Sequence, residues 1–297
     1  QLADLPSFTE VDRYLLSNND IPAEALAKLD TGKAPRSSYL SSDASKIQVF
    51  VLFGLDGVDS SDSVMLVALD RVHQKIKLIS LARDSYVFIP EFASFSKLAY
   101  SYTWGGAAMA VKNLNYNYYL NVSDYIAVDF DQLAEIIDRI GGVTVNIDED
   151  EARYLSNYPN VHVGDCLLDG ETAVSYARIR KSSATDSDRK RTGRQREVIL
   201  SILNTLQTMP LSQYPGFVRD CLGMCATSFE AETLLTMAAE TLGQNYTVEQ
   251  YFFPEGQVDW WAGLIKEYFY YVYDLRRASD RIYRIIYEEL YISGYDD

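Results

Sequence analysis

Residues 46–84 read KIQVFVLFGLDGVDSSDSVMLVALDRVHQKIKLISLARD, and the fold prediction starts from this stretch. It contains three runs of strand length that are strongly apolar or rich in β-branched residues: Ile47–Phe53, Ser63–Leu69 and Lys75–Leu81. The segments between them consist of Gly, Asp, Ser and other turn-forming or polar residues. Apolar runs bounded in this way predict three consecutive β-strands.

Downstream, helix-forming and strand-forming segments alternate. This alternation predicts the α/β class, as an α/β/α three-layer sandwich with a central mixed β-sheet and helices on both faces. In the last predicted helix, apolar residues recur at i, i+3, i+4 and i+7, which is typical of core packing. The predicted elements are helix Trp104–Leu114, strand Tyr125–Phe130, helix Asp131–Ile140, strand Val143–Ile147, strand Val174–Ile179, helix Thr192–Leu206, helix Phe229–Leu242, strand Thr247–Phe253 and a Tyr-rich C-terminal helix containing Tyr283, Ile286, Tyr287 and Leu290.

The first 45 residues read as a helical lead and a linker. Ser7-Phe8-Thr9-Glu10 has the capping-box pattern of a helix start. Asp20-Ile21-Pro22 predicts a second helix that continues through Leu29. Residues 31–45 are rich in Gly, Pro and Ser and are expected to form a linker. We therefore expect a lead over 1–45 and a single domain over 46–297, with its core motifs in 46–207 and its completion in 208–297.

Composition excludes several classes of function. The 297-residue chain has 27 Lys and Arg against 42 Asp and Glu, a net charge of −15, which disfavours a general nucleic-acid binder. With only Cys166, Cys221 and Cys225 and no C-x-x-C pair, a zinc site of the usual spacing is disfavoured. The two histidines, His73 and His162, lie far apart and disfavour a nucleophile–histidine triad.

No apolar run reaches the about 20 residues that span a bilayer, and no signal peptide is visible. Residue 1 is Gln, so we expect the natural N-terminus to lie upstream.

The positive charge is concentrated in one segment. Residues 178–196 contain eight basic and two acidic side chains, a local charge of +6, which leaves −21 for the rest of the chain. If residues 174–179 form a strand, Arg178 and Arg180 point to the same side. On a helix, Arg191, Arg194 and Gln195 share a face at i, i+3 and i+4. Guanidinium groups arranged in this way suit a pyrophosphate, and a solvated basic surface is the alternative.

Acidic residues stand at the ends of the first three predicted strands. Asp56 follows the first strand, Asp62 opens the second, and Arg83-Asp84 follows the third. Sites of α/β sheets lie at strand ends, and Mg²⁺ binds few carboxylates together with water and phosphate oxygens. These residues therefore predict a Mg²⁺–phosphate site, with turn and capping aspartates as the alternative.

Taken in order, these residues resemble the LytR-CpsA-Psr family. The resemblance covers about residues 46–207, and Thr247 to Pro254 also looks like the strand that follows the family's core. Each motif alone is weak evidence for the family, whereas the complete set in this order is specific. The matching motifs are Gly54-Leu55-Asp56, Ser61-Asp62-Ser63, Ser80-Leu81-Ala82-Arg83-Asp84-Ser85, Ser96-Lys97-Leu98-Ala99-Tyr100, Gly105-Gly106, Val128-Asp129-Phe130, Asp138 to Val143, Leu168-Asp169-Gly170, Ala173 to Arg180, and Asp188 to Arg196.

The resemblance implies a phosphotransferase that moves an anionic glycopolymer, such as teichoic acid or capsule, from a polyprenyl-pyrophosphate carrier to peptidoglycan. It implies an extracytoplasmic protein with an N-terminal membrane anchor, in most cases from a Gram-positive bacterium. The expected cofactor is Mg²⁺ on Asp56 and Asp62, and Arg83, Asp84, Arg178 and Arg180 are the expected catalytic residues. The pyrophosphate-binding residues that it implies are Arg83, Lys97, Arg178, Arg180, Arg191, Arg194 and Gln195.

The chain departs from the family pattern near the first two strands. Ser60 stands where the family commonly has Arg, and Ala82 replaces the usual Pro. The family often has a second Arg soon after the first aspartate, where this chain has Gly57-Val58. Two alternatives therefore stay open: a polyprenyl-pyrophosphate pyrophosphohydrolase, and a catalytically weak protein that binds lipid-linked glycan. Transcriptional regulation is disfavoured by the acidic charge and by the lack of a helix-turn-helix pattern.

Overall fold

The computed structural model describes residues 15–17, 20–29, 38–40, 42–57, 60–180, 184–241, 244, 246–287 and 291–293. The predicted capping box at residues 7–10 lies outside these ranges. A bilayer-spanning helix needs about 20 apolar residues, and none of the described helices meets that requirement.

The described strands include all of those predicted except one. Strands over Lys75–Leu81, Val143–Ile147 and Thr247–Phe253 have the predicted bounds. The strands are β1 (Ser38–Leu40), β2 (Ile47–Leu55), β3 (Ser61–Asp70), β4 (Lys75–Leu81), β5 (Tyr86–Ile89), β6 (Ser94–Lys97), β7 (Asp124–Asp129), β8 (Val143–Ile147), β9 (Gly164–Leu168), β10 (Ala226–Thr227), β11 (Thr247–Phe253), β12 (Trp260–Ile265), β13 (Tyr268–Tyr273) and β14 (Tyr291–Ser293).

The helices follow the predicted order, with longer bounds in two cases. The helix predicted from Trp104 begins at Tyr100 and is kinked at Gly105 and Gly106, and the one predicted from Thr192 begins at Ala184. The helices are α1 (Ala23–Leu29), α2 (Tyr100–Tyr118), α3 (Phe130–Arg139), α4 (Glu149–Tyr154), α5 (Gly170–Ala177), α6 (Ala184–Thr208), α7 (Tyr214–Met224), α8 (Ala231–Thr241) and α9 (Leu275–Tyr287).

The largest sheet is mixed and has six strands, in the order β10-β7-β2-β3-β4-β11. β2, β3 and β4 pair antiparallel, with Val51 opposite Leu66 and Leu66 opposite Ile79. These three residues lie on one face and are fully buried. Almost all consecutive residues of β3 and β4 are buried as well, as expected for strands covered on both faces. The predicted α/β class with a central mixed sheet is confirmed.

The chain divides into two compact units, residues 1–125 with 249–297, and residues 126–248. In the first unit, Leu16, Ile21 and Ala25 pack in one apolar cluster with Tyr86 and residues of β12 and β13. The predicted helix after Pro22 is confirmed as α1, and this part of the lead belongs to the core. The predicted domain boundary at residue 45 stays a prediction.

The strand predicted over Val174–Ile179 is wrong, because Gly170–Ala177 forms helix α5. Asp169 caps this helix by accepting a hydrogen bond from the Thr172 amide at 2.9 Å. α5 packs closely on α3: a Cβ at Gly170 would lie 2.1 Å from the Ala134 carbonyl oxygen. The capping signal and this close packing outweigh the strand propensity of Val174 and Tyr176.

The Asp169 cap leads to a pH-dependent prediction for stability. Hydrogen bonds from Thr172 lower the pKa of Asp169, so the cap stabilises the fold above the unfolded-state pKa of about 4 and is lost as the pH falls through the lower folded-state pKa. We expect Asp169→Ala to cost about 1 kcal/mol at pH 7 and less at pH 3, as measured by urea unfolding. Asp169→Asn keeps a capping oxygen and serves as the control; a loss at pH 7 as large as that of the alanine variant would contradict the capping role.

Candidate functional site

The end of the β2–β3 hairpin presents Asp56 and Asp62. The backbone amide of Asp56 donates to the Ser60 carbonyl at 3.1 Å, and the Ser60 amide donates to Asp56 Oδ1 at 3.3 Å. Gly54 pairs with Ser63 and Leu55 with Ser61, which leaves Asp62 as the extra residue of a β-bulge. A bulge changes the direction of a side chain, and Asp62 is only 8% exposed.

Four side chains of alternating charge lie next to one another in the first unit. Arg83 donates through a terminal guanidinium nitrogen to Asp62 Oδ1. Its Nε lies 3.6 Å from Asp84 Oδ2, and Lys97 Nζ donates to Asp84 Oδ1 at 2.6 Å. Asp62, Arg83, Asp84 and Lys97, here called the charge cluster, thus include three of the predicted catalytic or phosphate-binding residues and one predicted Mg²⁺ ligand.

The turn that carries Arg83 and Asp84 is fixed through its backbone. The Ala99 amide donates to the Arg83 carbonyl and the Tyr271 amide to the Asp84 carbonyl, each at 3.0 Å. The Ala82 amide donates to the Phe253 carbonyl at 3.0 Å. Proline has no N–H, so the family's usual residue at position 82 could not form this last bond.

A buried chain of hydroxyl groups supports the same turn. Ser85 Oγ donates to the Ala82 carbonyl at 2.6 Å and lies 2.8 Å from the Tyr273 hydroxyl, which lies 2.6 Å from that of Tyr118. Burial raises the pKa of Tyr118 to about 12 and that of Tyr273 well above its ordinary value. Both phenols are therefore neutral hydrogen-bonding groups at physiological pH.

Sequence reasoning missed the aromatic rings around Lys97. Its ammonium nitrogen lies 6.0 Å from the ring centroid of Tyr100, 5.8 Å from that of Tyr268 and 5.4 Å from that of Tyr270. Cation–π attraction helps to hold the Lys97 side chain at this place. β13 reads YFYYVY, and this continuous run of aromatic and β-branched residues was the available signal for a strand.

Asp56 and Asp62 fit a magnesium ion as a donor set. No group of three or more His, Cys, Asp or Glu side chains suitable for a metal occurs among the residues that the structure describes. Mg²⁺ binds proteins through one or two carboxylates and takes its remaining ligands from water and phosphate. Two aspartates at one hairpin end therefore suit an ion that is bound together with a phosphate substrate.

In the second unit, Arg178 and Arg180 are exposed and follow the end of α5. The guanidinium carbon of Arg178 lies 4.4 Å from the ring centroid of Phe130. The shared strand face expected for the two arginines does not exist, because the preceding residues are helical. Both guanidinium groups are in contact with solvent.

The predicted helix face of Arg191, Arg194 and Gln195 is confirmed on α6, and it is buried. Arg194 is 4% exposed, donates to the Ile179 carbonyl, and pairs with Glu151 Oε1 at 3.1 Å. The geometry favours a supporting role for Arg194, which fixes the backbone between Arg178 and Arg180. Glu151 was not identified as a site residue from the sequence. Asp148 and Glu151 have the spacing of a capping box, and the structure contains that capping box.

The chain is similar to proteins of one known family. A model of the LytR_cpsA_psr family matches residues 19–283. A polyisoprenyl-teichoic acid–peptidoglycan teichoic acid transferase TagU of Oceanobacillus iheyensis is 28% identical over 230 residues, 74% of this chain and 69% of that protein. TagU of Enterococcus faecalis is 29% identical over 166 residues, so the match spans about half of its length (54%).

Solved structures share the fold. The structure described as "TagT bound to LIIa-WTA" superposes with a TM-score of 0.68 and covers 87% of this chain and 98% of that chain, at 20% identity. At this identity the likeness concerns the fold alone.

Proposed function

The chain belongs to the LytR-CpsA-Psr family, and we propose that it is a phosphotransferase that moves an anionic glycopolymer from a polyprenyl-pyrophosphate carrier to peptidoglycan. The observation that carries the proposal is the charge cluster, in which the Arg83 guanidinium bonds Asp62 at a strand end. Relatives named as teichoic acid transferases support the choice of substrate class. The reaction takes place on the outer face of the cytoplasmic membrane, where lipid-linked polymer and peptidoglycan meet.

The arginines bind the phosphate groups of the donor. One guanidinium group can bind two phosphate oxygens at once, and it stays charged at all relevant pH values. Arg83 stabilises the charge that develops on phosphorus-bound oxygens during transfer. Arg178 and Arg180, exposed in the second unit, are guanidinium groups with the same chemistry for binding phosphate oxygens. Arg194 supports the segment that carries them through its hydrogen bond to the Ile179 carbonyl.

Asp56 and Asp62 hold Mg²⁺ when it is bound, and the ion neutralises phosphate charge. Arg83 orients the Asp62 carboxylate through its hydrogen bond. Mg²⁺ has only a few protein ligands in such sites, so removal of either aspartate raises the Mg²⁺ concentration that the reaction needs.

The acceptor hydroxyl of a peptidoglycan sugar attacks the sugar-linked phosphorus. A new P–O bond forms to that oxygen, and the bond to the bridging oxygen breaks, so that polyprenyl phosphate leaves with the electron pair. Asp84 orients the acceptor hydroxyl and takes its proton. Lys97, 2.6 Å from Asp84, balances the charge of this carboxylate before the proton arrives.

The transfer reaction tests the proposal directly. Lipid-linked teichoic acid is incubated with peptidoglycan, and the products are separated by chromatography. We expect polymer-linked peptidoglycan and polyprenyl phosphate in the presence of Mg²⁺, with at least about a tenfold lower rate after chelation. Asp56→Asn should shift the Mg²⁺ dependence to higher concentration, whereas the control Asp150→Asn, at an exposed residue of α4, should not.

Two other outcomes would contradict transfer. Polyprenyl phosphate released together with polymer that is not joined to peptidoglycan identifies a pyrophosphohydrolase. Binding of the lipid-linked polymer without any product identifies a binding protein, which Ser60 in place of the family's common Arg would explain.

A further inference from the structure

Helix α9 is basic although the whole chain carries a charge of −15. It contains four arginines and one aspartate, a charge of 4 − 1 = +3. Arg277, Arg281 and Arg284 recur at i, i+4 and i+7, so they lie on one face. Arg277 and Arg281 are exposed, while Arg284 Nε donates to Asp280 at 3.0 Å.

The opposite face of α9 is fixed in the core of the first unit. Ala278, Ile282 and Ile286 are fully or almost fully buried. The Ile286 carbonyl accepts a hydrogen bond at 2.9 Å from the buried Lys77, whose ammonium pairs with Asp70 at 3.0 Å. The arginine face is therefore presented on a rigid helix.

The end of α2 contacts α9. Lys112 and Tyr116 lie one turn apart in α2, and Tyr119 is the left-handed residue that ends the helix. All three are exposed, with Tyr116 at 55% and Tyr119 at 52%, and Lys112 pairs with Glu91 at 2.7 Å. The Tyr283 hydroxyl of α9 donates to the Tyr119 carbonyl at 3.0 Å, which joins the two helices. The name tyrosine–arginine surface is used below for Lys112, Tyr116, Tyr119, Arg277, Arg281 and Arg284.

We propose that the tyrosine–arginine surface binds the phosphate-bearing glycan chain of the donor polymer, an inference that rests on the proposed function. Arginines bind phosphate diesters through charge-assisted hydrogen bonds. Tyrosine rings offer broad apolar faces to sugar rings while their hydroxyl groups remain hydrated. A polymer that repeats both groups engages several residues at once, so longer chains bind more tightly than short ones.

The chemistry of the surface favours a polymer over a lipid bilayer. Interfacial helices insert Leu, Phe or Trp side chains below the headgroups. The exposed large apolar residues of this surface are tyrosines. The surface is suited to stacking and ion pairing rather than to insertion.

Binding of a lipid-free polymer tests the inference without catalysis. The probes are poly(ribitol phosphate), neutral dextran of similar length, and vesicles of phosphatidylglycerol and phosphatidylcholine, measured by calorimetry or co-sedimentation. We expect the wild-type protein to bind poly(ribitol phosphate), with affinity that falls as salt rises. Arg277→Gln/Arg281→Gln should weaken this binding by about tenfold, and Tyr116→Ala should weaken it as well.

Matched controls remove the same charge or ring elsewhere. Arg139→Gln/Arg153→Gln changes the net charge by the same amount at two exposed arginines, and Tyr154→Ala removes an exposed ring of α4. Binding that is equal in the Arg277→Gln/Arg281→Gln protein and the wild type overturns the inference. Equal binding of dextran, or vesicle binding with the same dependence on the two arginines, also overturns it.

Chain length separates this inference from the proposed function. In transfer assays, the surface variants should raise KM for long donor polymers while leaving transfer of a donor with a single repeat unchanged. An Arg83→Ala protein should still bind the free polymer. If no variant or wild-type protein transfers polymer, the proposed function fails while the binding experiment still decides the role of the surface.

Discussion

Replacement of Arg83 by alanine is expected to lower the rate of glycopolymer transfer by at least about 100-fold. The guanidinium bonds Asp62 and lies 3.6 Å from Asp84, so its loss removes phosphate charge stabilisation and the orientation of two carboxylates. Because the interaction strengthens in the transition state, kcat and kcat/KM should fall together. Arg83→Lys keeps the charge without the planar fork and should lose at least about tenfold.

A loss of folding has to be separated from this loss of catalysis. Asp62 is almost fully buried. In the Arg83→Ala protein its carboxylate no longer has the guanidinium as a partner, and this loss also destabilises the fold. Arg83→Ala/Asp62→Ala should regain thermal stability without regaining activity. Arg153→Ala, at a side chain that is 76% exposed, should transfer within about twofold of the wild-type rate. A folded Arg83→Ala protein with wild-type kcat would rule out the assigned role.

The hairpin that carries Asp56 and Asp62 could be predicted from the sequence because its strands are long, apolar and bounded by turn residues. The positions of Asp56 and Asp62 at the hairpin end follow from these strand bounds. The burial of Asp62 does not follow, since it depends on the bulge between Ser61 and Ser63. A bulge shifts register by one residue and leaves little trace in a local pattern.

The contacts around Lys97 depend on long-range pairing. Lys97 was predicted to bind pyrophosphate and Asp84 to be catalytic, and the structure pairs the two side chains at 2.6 Å. Tyr268 and Tyr270 reach Lys97 from a hairpin more than 160 residues away in the chain. Hydrophobic periodicity predicts which face of a strand is buried, and it does not predict which distant strand contributes to the site.

The secondary structure of the segment before Arg178 was predicted wrongly. Val174, Tyr176 and Ile179 have strand propensity, which outweighed the cap at Asp169 in the sequence interpretation. This segment forms a helix in the structure. Arg178 and Arg180 therefore do not share a strand face; they are exposed residues that follow the end of a helix. Arg194 could be assigned to a helix face from spacing, but its burial against Glu151 is a tertiary contact.

The buried Arg194–Glu151 pair leads to the largest expected effect on stability. Arg194→Met should leave Glu151 buried without its cation and lower the free energy of unfolding by about 3–5 kcal/mol. Glu151→Met should cost a similar amount, because the guanidinium then loses its carboxylate. Arg194→Met/Glu151→Met removes both charges, so its loss of unfolding free energy should be much smaller than the sum of the two single losses. Urea unfolding of the four proteins in one double-mutant cycle measures this coupling.

The same double variant tests whether Arg194 acts as a positioning residue. It still lacks the donor to the Ile179 carbonyl, so the backbone between Arg178 and Arg180 is held less firmly even where stability is regained. We therefore expect a higher KM for the lipid-linked donor with a smaller change in kcat, whereas loss of Arg178 itself should lower both kcat and kcat/KM. Single losses that simply add would show that the two charges are not coupled. A double variant with wild-type KM would show that Arg194 does not position this segment.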